Sequence, residues 1–322
     1  MNPIQWAGHK YQLEAISHLL VNKHSGLFLD PGLGKTSISL AVIKILKHLP
    51  KHSGTLLVAP LRVIHSVWPD ELKKWSNFNS LTYTILHEGS KAELWGPKKD
   101  IYLINPEGLK WLYRELLEEL QFGNKCPFNI LWIDESTKFK NPLAKARFLL
   151  IKDMLPLFRR VHIMTGTPAP RALLDLWSQI FILDQGIALS DNYYRFRKKY
   201  FEPNDWNKYD WKLKDFAEEA IQEAISPLIL DMDAGNYLDI PKQIPNDIKV
   251  VLPKKAMKYY KEMEKEFFIE FDDMEASAMT NAVMNMKCQQ IANGRIYEDI
   301  PEDLDEDEER EFRKTRKVIK GQ

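Results

Sequence analysis

The sequence predicts an α/β fold, a parallel sheet between two helical layers, followed by a mainly helical remainder. Three observations carry this expectation. Short runs rich in Ile, Leu and Val recur along the first 185 residues, and several are apolar throughout rather than alternating. Such runs suit parallel strands covered on both faces. Stretches with helical periodicity separate them. A glycine-rich turn, "DPGLGKT" at 30–36, sits between one such strand and a helix.

The elements follow in order. Strands are expected at "GLFLD" (26–30), "TLLVAP" (55–60), "LTYTILH" (81–87), "DIYLIN" (100–105), "NILWID" (129–134) and "RVHIMTG" (160–166). After the glycine-rich turn, Ile38, Ala41, Val42, Ile45, Leu46 and Leu49 share one helical face. Leu109, Leu112, Leu116 and Leu120 do the same in "EGLKWLYRELLEELQ". Alternation of this length implies right-handed crossovers and a three-layer domain over residues 1–185.

Residues 186–252 change texture and read as a mainly helical protrusion ending in a strand at 248–252. Within it "NYYRFRKKYF" (192–201) mixes aromatics with Arg195, Arg197, Lys198 and Lys199, and its aromatics are expected to be core. Trp206, Tyr209 and Trp211 take the same reading. Residues 253–322 read as a helical linker, with an acid-dense stretch at 298–311 taken as solvated chain.

Composition narrows the function. The 322 residues carry no net charge, so any grip on nucleic acid must come from local patches. No run approaches the ~18 apolar residues of a membrane span, and the start lacks the order of a signal peptide. Cys126 and Cys288 alone make no disulfide framework, which fits a reducing cytoplasm.

Two stretches carry chemistry. A phosphate-binding loop is written G-x-x-x-x-G-K-[ST], and Gly34, Lys35 and Thr36 supply its tail, although Leu29 stands in place of the first glycine. Such a loop aims backbone N–H groups at phosphate from a helix N-terminus, while Lys35 reaches the outer phosphates and Thr36 offers a hydroxyl to Mg²⁺. Gly32 and Gly34, with Pro31 and Leu33 between and beside them, form the tight turn. The second stretch, "NILWIDESTKFKN", delivers Asp134 and Glu135 to a strand's C-terminal end. Adjacent carboxylates there suit ATP hydrolysis: Asp134 to hold Mg²⁺, Glu135 to orient and deprotonate the attacking water.

"DPGLGKT", "DEST" and "TGTP" (165–168), in that order, resemble motifs I, II and III of superfamily-two helicases. "HKYQLEAISHLL", "LVAPLRVIHSVWPDELKKW", Lys140-Asn141 and "MTGTPAPRALLDLWSQIFIL" resemble the Swi/Snf-type DNA translocases in particular, as does "LPKKAMKYYKEM" further on. Ser136-Thr137 depart from the family's usual Ala-His, and Leu29 from its usual small residue. The resemblance implies a RecA-like ATP-binding lobe that moves along double-stranded DNA, with single strands as an alternative track. It implies that Gln12 recognises adenine and that Thr165, Gly166 and Thr167 link the phosphate site to DNA. Pro60, Arg62, Asn105 and Pro106 would face the tracked strand. The compact N-terminus, with the adenine segment beginning by residue 9, suggests a bacterial or phage-infected cell as the setting.

Enzymes of this kind work between two RecA-like lobes, and the second supplies arginines to the transferring phosphoryl group. Gln290 and Arg295 in "QQIANGRIYED" match that pattern only superficially. A second lobe is therefore expected in cis or trans, and slow turnover without it. Two alternatives stand beside this reading: a non-catalytic nucleotide-dependent binding module, and an RNA helicase of the same superfamily.

Overall fold

The computed structural model describes residues 4–144, 148, 150–169, 172–203, 211–238, 246, 249, 251–266, 268–271, 274–277, 281–297 and 318–320. All six expected strands form: β1 is His24–Leu29, β2 Thr55–Val58, β3 Tyr83–Ile85, β4 Ile101–Ile104, β5 Ile130–Asp134 and β6 Arg160–Thr165. Beyond residue 185 the chain adds a short antiparallel pair, β7 (Phe201–Pro203) with β8 (Trp211–Leu213), and then β9 (Ile229–Met232). The main sheet runs β3-β4-β2-β5-β6-β1-β9, and every pairing in it is parallel. This is an α/β RecA-like fold.

With the β7–β8 pair, β9 adds strand to a segment expected to be mainly helical before its strand at 248–252, and β9 joins the main sheet. It is a four-residue edge strand with Asp231 exposed, so its own pattern is too short to declare it. Its partner makes room. A Cβ on Gly26 of β1 would lie 2.7 Å from Ile229 Cδ1 and 2.9 Å from Ile163 Cγ1, so glycine lets β6 and β9 close in from either side.

Helices cover both faces, as a parallel sheet of apolar strands requires. On one face lie α1 (Lys10–Val21), α2 (Lys35–Leu46) and α4 (Val67–Lys74), the last preceded by the short α3 (Leu61–His65). Leu19, Ile38, Val42 and Trp68 bury there against Leu27, Leu57 and Trp132. After α5 (Lys91–Trp95), the other face is covered by α6 (Leu109–Gln121), α7 (Leu150–Met154), α8 (Leu176–Asp184), α9 (Tyr193–Tyr200) and α10 (Ala217–Ile225). Each large apolar side chain so buried contributes roughly 1.5–3 kcal/mol.

The apolar face drawn for α2 is partly wrong. Ile38, Ala41, Val42 and Leu46 are buried, whereas Ile45 and Leu49 are 45% and 48% exposed. Ile45 lies in the last turn and Leu49 beyond the helix end, where the packed layer gives out. In α6, Leu109, Leu112 and Leu116 are buried and Leu120 packs against them half-buried.

In α9 and β7, Phe196, Tyr200 and Phe201 are core, while Tyr194 is 55% exposed. Arg197 lies over the half-buried Trp211 ring at 4.1 Å, with Tyr193 and Tyr194 beside it. Trp206 and Tyr209 lie outside the described residues.

The chain divides into two compact units, Met1–Pro241 and Lys242–Gln322. In the second, α11 (Lys254–Glu266) packs on α12 (Asn281–Ala292) through Met263, Cys288 and Ile291. The continuous helical stretch expected from Lys254 is interrupted by a hairpin, β10 (Phe268–Phe271) with β11 (Met274–Ser277). Gln290 lies in α12; Arg295 opens β12 (Arg295–Tyr297), which pairs with β13 (Val318–Lys320). Residues 249, 251 and 252 adopt no strand, so the one expected at 248–252 is not seen among the described residues. The acid-dense stretch 298–311 lies outside them.

Candidate nucleotide site

The glycine missing from the phosphate loop has a structural answer. Leu29 is the last residue of β1 and fully buried, so it belongs to the strand and not to the turn. What the loop uses is its carbonyl: Lys35 Nζ donates to Leu29 O at 2.6 Å and to Asp30 O at 3.2 Å. Gly32 and Gly34 turn the chain with φ of 94° and 78°, in the left-handed region that favours glycine. Pro31 and Gly32 are exposed, while Leu33 is buried beneath them. Gly34 is the N-cap of α2, so the unpaired N–H groups of that helix's first turn open toward the loop. Thr36, half-buried, is its second residue.

β5, β6 and β1 are neighbours and parallel, which brings their C-terminal ends to one rim. Asp134 ends β5, and Glu135 follows it with φ 63° and ψ 61°. A left-handed conformation at a residue with a Cβ costs of order 1 kcal/mol and persists where surroundings impose it. Here two hydroxyls hold the carboxylate: Thr165 Oγ1 donates to Glu135 Oε1 at 2.9 Å and Thr137 Oγ1 at 2.5 Å. Thr165, at the end of β6, also accepts the Thr167 N–H at 3.3 Å. Gly166 comes next to the loop: a Cβ there would be 3.5 Å from Lys35 Nζ and 3.2 Å from Pro31 Cδ.

The charges sense one another. Burial lowers the Lys35 pKa, and Asp134, Glu135 and Asp30 oppose that shift. Burial pushes the Asp134 carboxyl up to about 6. The Trp68 indole N–H, donating to Asp134 Oδ2 at 3.1 Å, pulls it back; Glu135 adds to the rise and Lys35 opposes it. Thus Lys35, Asp134, Glu135 and residues 165–167 are brought together at one edge of the sheet.

Gln12 reaches the same loop from α1. It is buried; its Nε2 donates to Leu33 O at 3.1 Å, and its Oε1 accepts the His9 N–H at 3.0 Å. A Cβ on Gly34 would meet Gln12 Nε2 at 2.5 Å, so the second glycine also accommodates this side chain.

The residues expected to face DNA follow β2 and β4 on the same rim. Pro60 caps α3, its carbonyl accepting the Val63 N–H at 2.8 Å, and Arg62 is exposed on that helix. Asn105 donates to Glu107 at 2.8 Å, and Pro106 is buried at the start of a 3-10 turn. Pro106 therefore has a packing role that Arg62 does not.

Three supports of the site leave no local signal in the sequence. Trp68, quoted only as part of a motif, holds Asp134. Asp30 anchors the loop to the far end of the sheet: its Oδ2 accepts the Ala234 N–H at 3.0 Å and its own N–H donates to Met232 O at 3.2 Å. Gln179 of α8 accepts the Ser136 hydroxyl at 2.6 Å and donates to the carbonyls of Pro168 and Asp175. The Ser136-Thr137 departure thus has two partners, one in α8 and one on Glu135.

A model of the SNF2-related domain matches residues 9–296. The putative protein p41 of Acyrthosiphon pisum secondary endosymbiont phage 1 is 34% identical over 300 residues, 90% of this chain and 64% of that protein. Nuclear protein STH1/NPS1 of Saccharomyces cerevisiae is 31% identical over 180 residues, 54% of this chain and 13% of that one. The chain thus spans less than two thirds of either relative. The solved SWI2/SNF2 ATPase core domain of Sulfolobus solfataricus shares the fold, with a TM-score of 0.55 and 24% identity across 91% of this chain and 59% of that one. With the match running from the helix that carries Gln12 into the second unit, the chain belongs to the SNF2-related domain family.

Proposed function

We propose that this chain is the ATP-binding lobe of a DNA-dependent ATPase that moves along duplex DNA, completed by a second RecA-like lobe in cis or trans. The observation that carries the reading is the meeting of Lys35 with Asp134 and Glu135 at one rim. Lys35 would exchange its two carbonyl partners for the outer phosphates, with the N–H groups of the loop around them. Thr36 and Asp134 would hold Mg²⁺: one hydroxyl and one carboxylate, with phosphate and water oxygens completing the shell, suit its preference for hard ligands. When bound, that cation neutralises phosphate charge. Glu135, already fixed by Thr165 and Thr137, would hold the attacking water and take its proton as the terminal phosphoryl group passes to the oxygen. Because Thr165 touches both Glu135 and the Thr167 N–H, a change at the phosphates would be felt in the 165–167 turn.

Duplex DNA is the favoured track because one solved Sulfolobus solfataricus relative is a complex with dsDNA. Exposed Arg62 offers a phosphate contact of the kind that positions without reading sequence. The test is the rate of ATP hydrolysis with duplex DNA, single-stranded DNA and RNA, for this chain and for one continued beyond Gln322. Duplex stimulation of the longer chain is expected; stimulation by RNA alone would overturn the choice of track. Glu135→Gln should abolish turnover, by 10² or more as for a lost general base, and spare ATP binding. Loss of binding instead would remove Glu135 from the base role.

A further inference from the structure

The segment after β9 is fastened to the phosphate loop. Asp233 accepts the Gly235 N–H at 2.7 Å and shapes a 3-10 turn over Ala234–Asn236. Asp30 accepts the Ala234 N–H, and Leu238 Cδ1 lies 3.8 Å from where a Gly32 Cβ would stand. Between these two fixings is Tyr237. Its ring centroid is 5.0 Å from that of Tyr11, and the residue remains 42% exposed. Tyr11 is itself buried and stacked on His9, with centroids 5.6 Å apart and rings 6° from parallel. Gln12, next in the chain, binds the loop from beneath. An aromatic shelf of His9, Tyr11 and Tyr237 therefore borders the loop beside the buried Gln12 amide.

We propose that Tyr237 is a base-contacting residue of this site, its exposed ring surface taking the base of a nucleoside triphosphate whose phosphates lie on Gly32–Thr36. This deepens the reading above and rests on it. The phosphates must sit at the N-terminus of α2, where the free N–H groups are. The nucleoside then has to leave along the open side of the loop, where Pro31 and Gly32 are exposed and Leu238 stands guard. An aromatic face there binds any base, since every base has a π face. Tyr237 thus supplies base affinity without choice, and Gln12 supplies the choice. The short edge strand β9 gains a purpose: it carries this ring to the nucleotide.

The test uses the full chain with Mg²⁺ and three probes: ATP, GTP and inorganic tripolyphosphate. Tyr237→Ala should weaken ATP and GTP alike, by roughly tenfold as for a lost stacking partner, and leave tripolyphosphate unchanged. Tyr237→Phe should bind all three as the parent does, which also guards against a folding defect. Equal weakening of tripolyphosphate would make Tyr237 a brace of the loop and overturn the proposal, as would no change in any probe. Failure of the parent chain to bind any of the three would sink the nucleotide reading itself, and this proposal with it.

Discussion

Asp134 shows how a single carboxylate is set by what lies behind it. Burial holds its pKa near 6, about two units above the usual value of 3.8, and one pKa unit corresponds to ~1.4 kcal/mol. A raised carboxyl favours the protonated form in the fold, so its contribution to stability is fully present below about pH 4 and is lost as pH climbs through about 6. A proton and a cation compete for the same oxygens. Cation-dependent nucleotide affinity should therefore be retained above about pH 6 and lost below it. Trp68 moderates the shift, because its N–H favours the ionised form. Trp68→Phe should move the midpoint of that pH profile upward, measured as Mg-ATP affinity from pH 5 to 8 against the parent chain, which cancels the titration of ATP itself. Coincident profiles would dismiss Trp68 as a tuner. That Lys35, Asp134 and Glu135 would meet at one rim was legible in the sequence, because each stands at or just after the end of an apolar strand run. Trp68 was not, since a hydrogen bond across 66 residues leaves no local pattern.

At the level of elements, the phosphate loop is gripped from two sides: α1 through Gln12, and the end of β9 through Asp30. The second grip joins residues 204 apart in sequence. Asp30→Ala would leave the Ala234 N–H without its acceptor, at a cost of about 1–3 kcal/mol. We expect a lower melting temperature together with faster amide exchange over 233–238. Unchanged exchange there would mean that β9 holds the segment without help. The six strands with apolar runs were readable because both faces of a parallel sheet must be covered. β9 was not: four residues at an edge, one of them an exposed Asp, need only a neighbour to pair with, and Gly26 provides the space. The hairpin inside the expected helical linker escaped for a similar reason, because "FIEFDDMEAS" holds amphipathic residues compatible with either period.

For the whole molecule, the two units Met1–Pro241 and Lys242–Gln322 carry unequal shares of the chemistry. Every residue placed at the nucleotide rim belongs to the first. Neither Gln290, in α12, nor Arg295, in a strand pair, belongs to a second sheet of crossover topology among the described residues. Continuing the chain beyond Gln322 to include a second RecA-like lobe should raise duplex-stimulated ATP turnover by ~10³ or more, the scale of arginine-finger effects in related NTPases. Nucleotide affinity should change far less. A multiple-turnover rate of many per second from the 322-residue chain, unchanged by extension, would overturn the proposed need for a second lobe.

By itself the sequence determined the sheet's central strands, the glycine-rich turn after β1 and the acidic pair at the end of β5, because each is written in contiguous residues under a local constraint. Left-handed turns favour glycine, buried strands need apolar runs, and adjacent carboxylates cannot continue an apolar strand. Tertiary structure alone decided which distant groups tune and brace that site: the indole behind Asp134, the clasp from Asp30 to β9, the amide of Gln179 beneath Ser136, and the tyrosine beside Tyr11. Those contacts arise from crossovers that bring remote segments to one rim, and only the folded path of the chain specifies them.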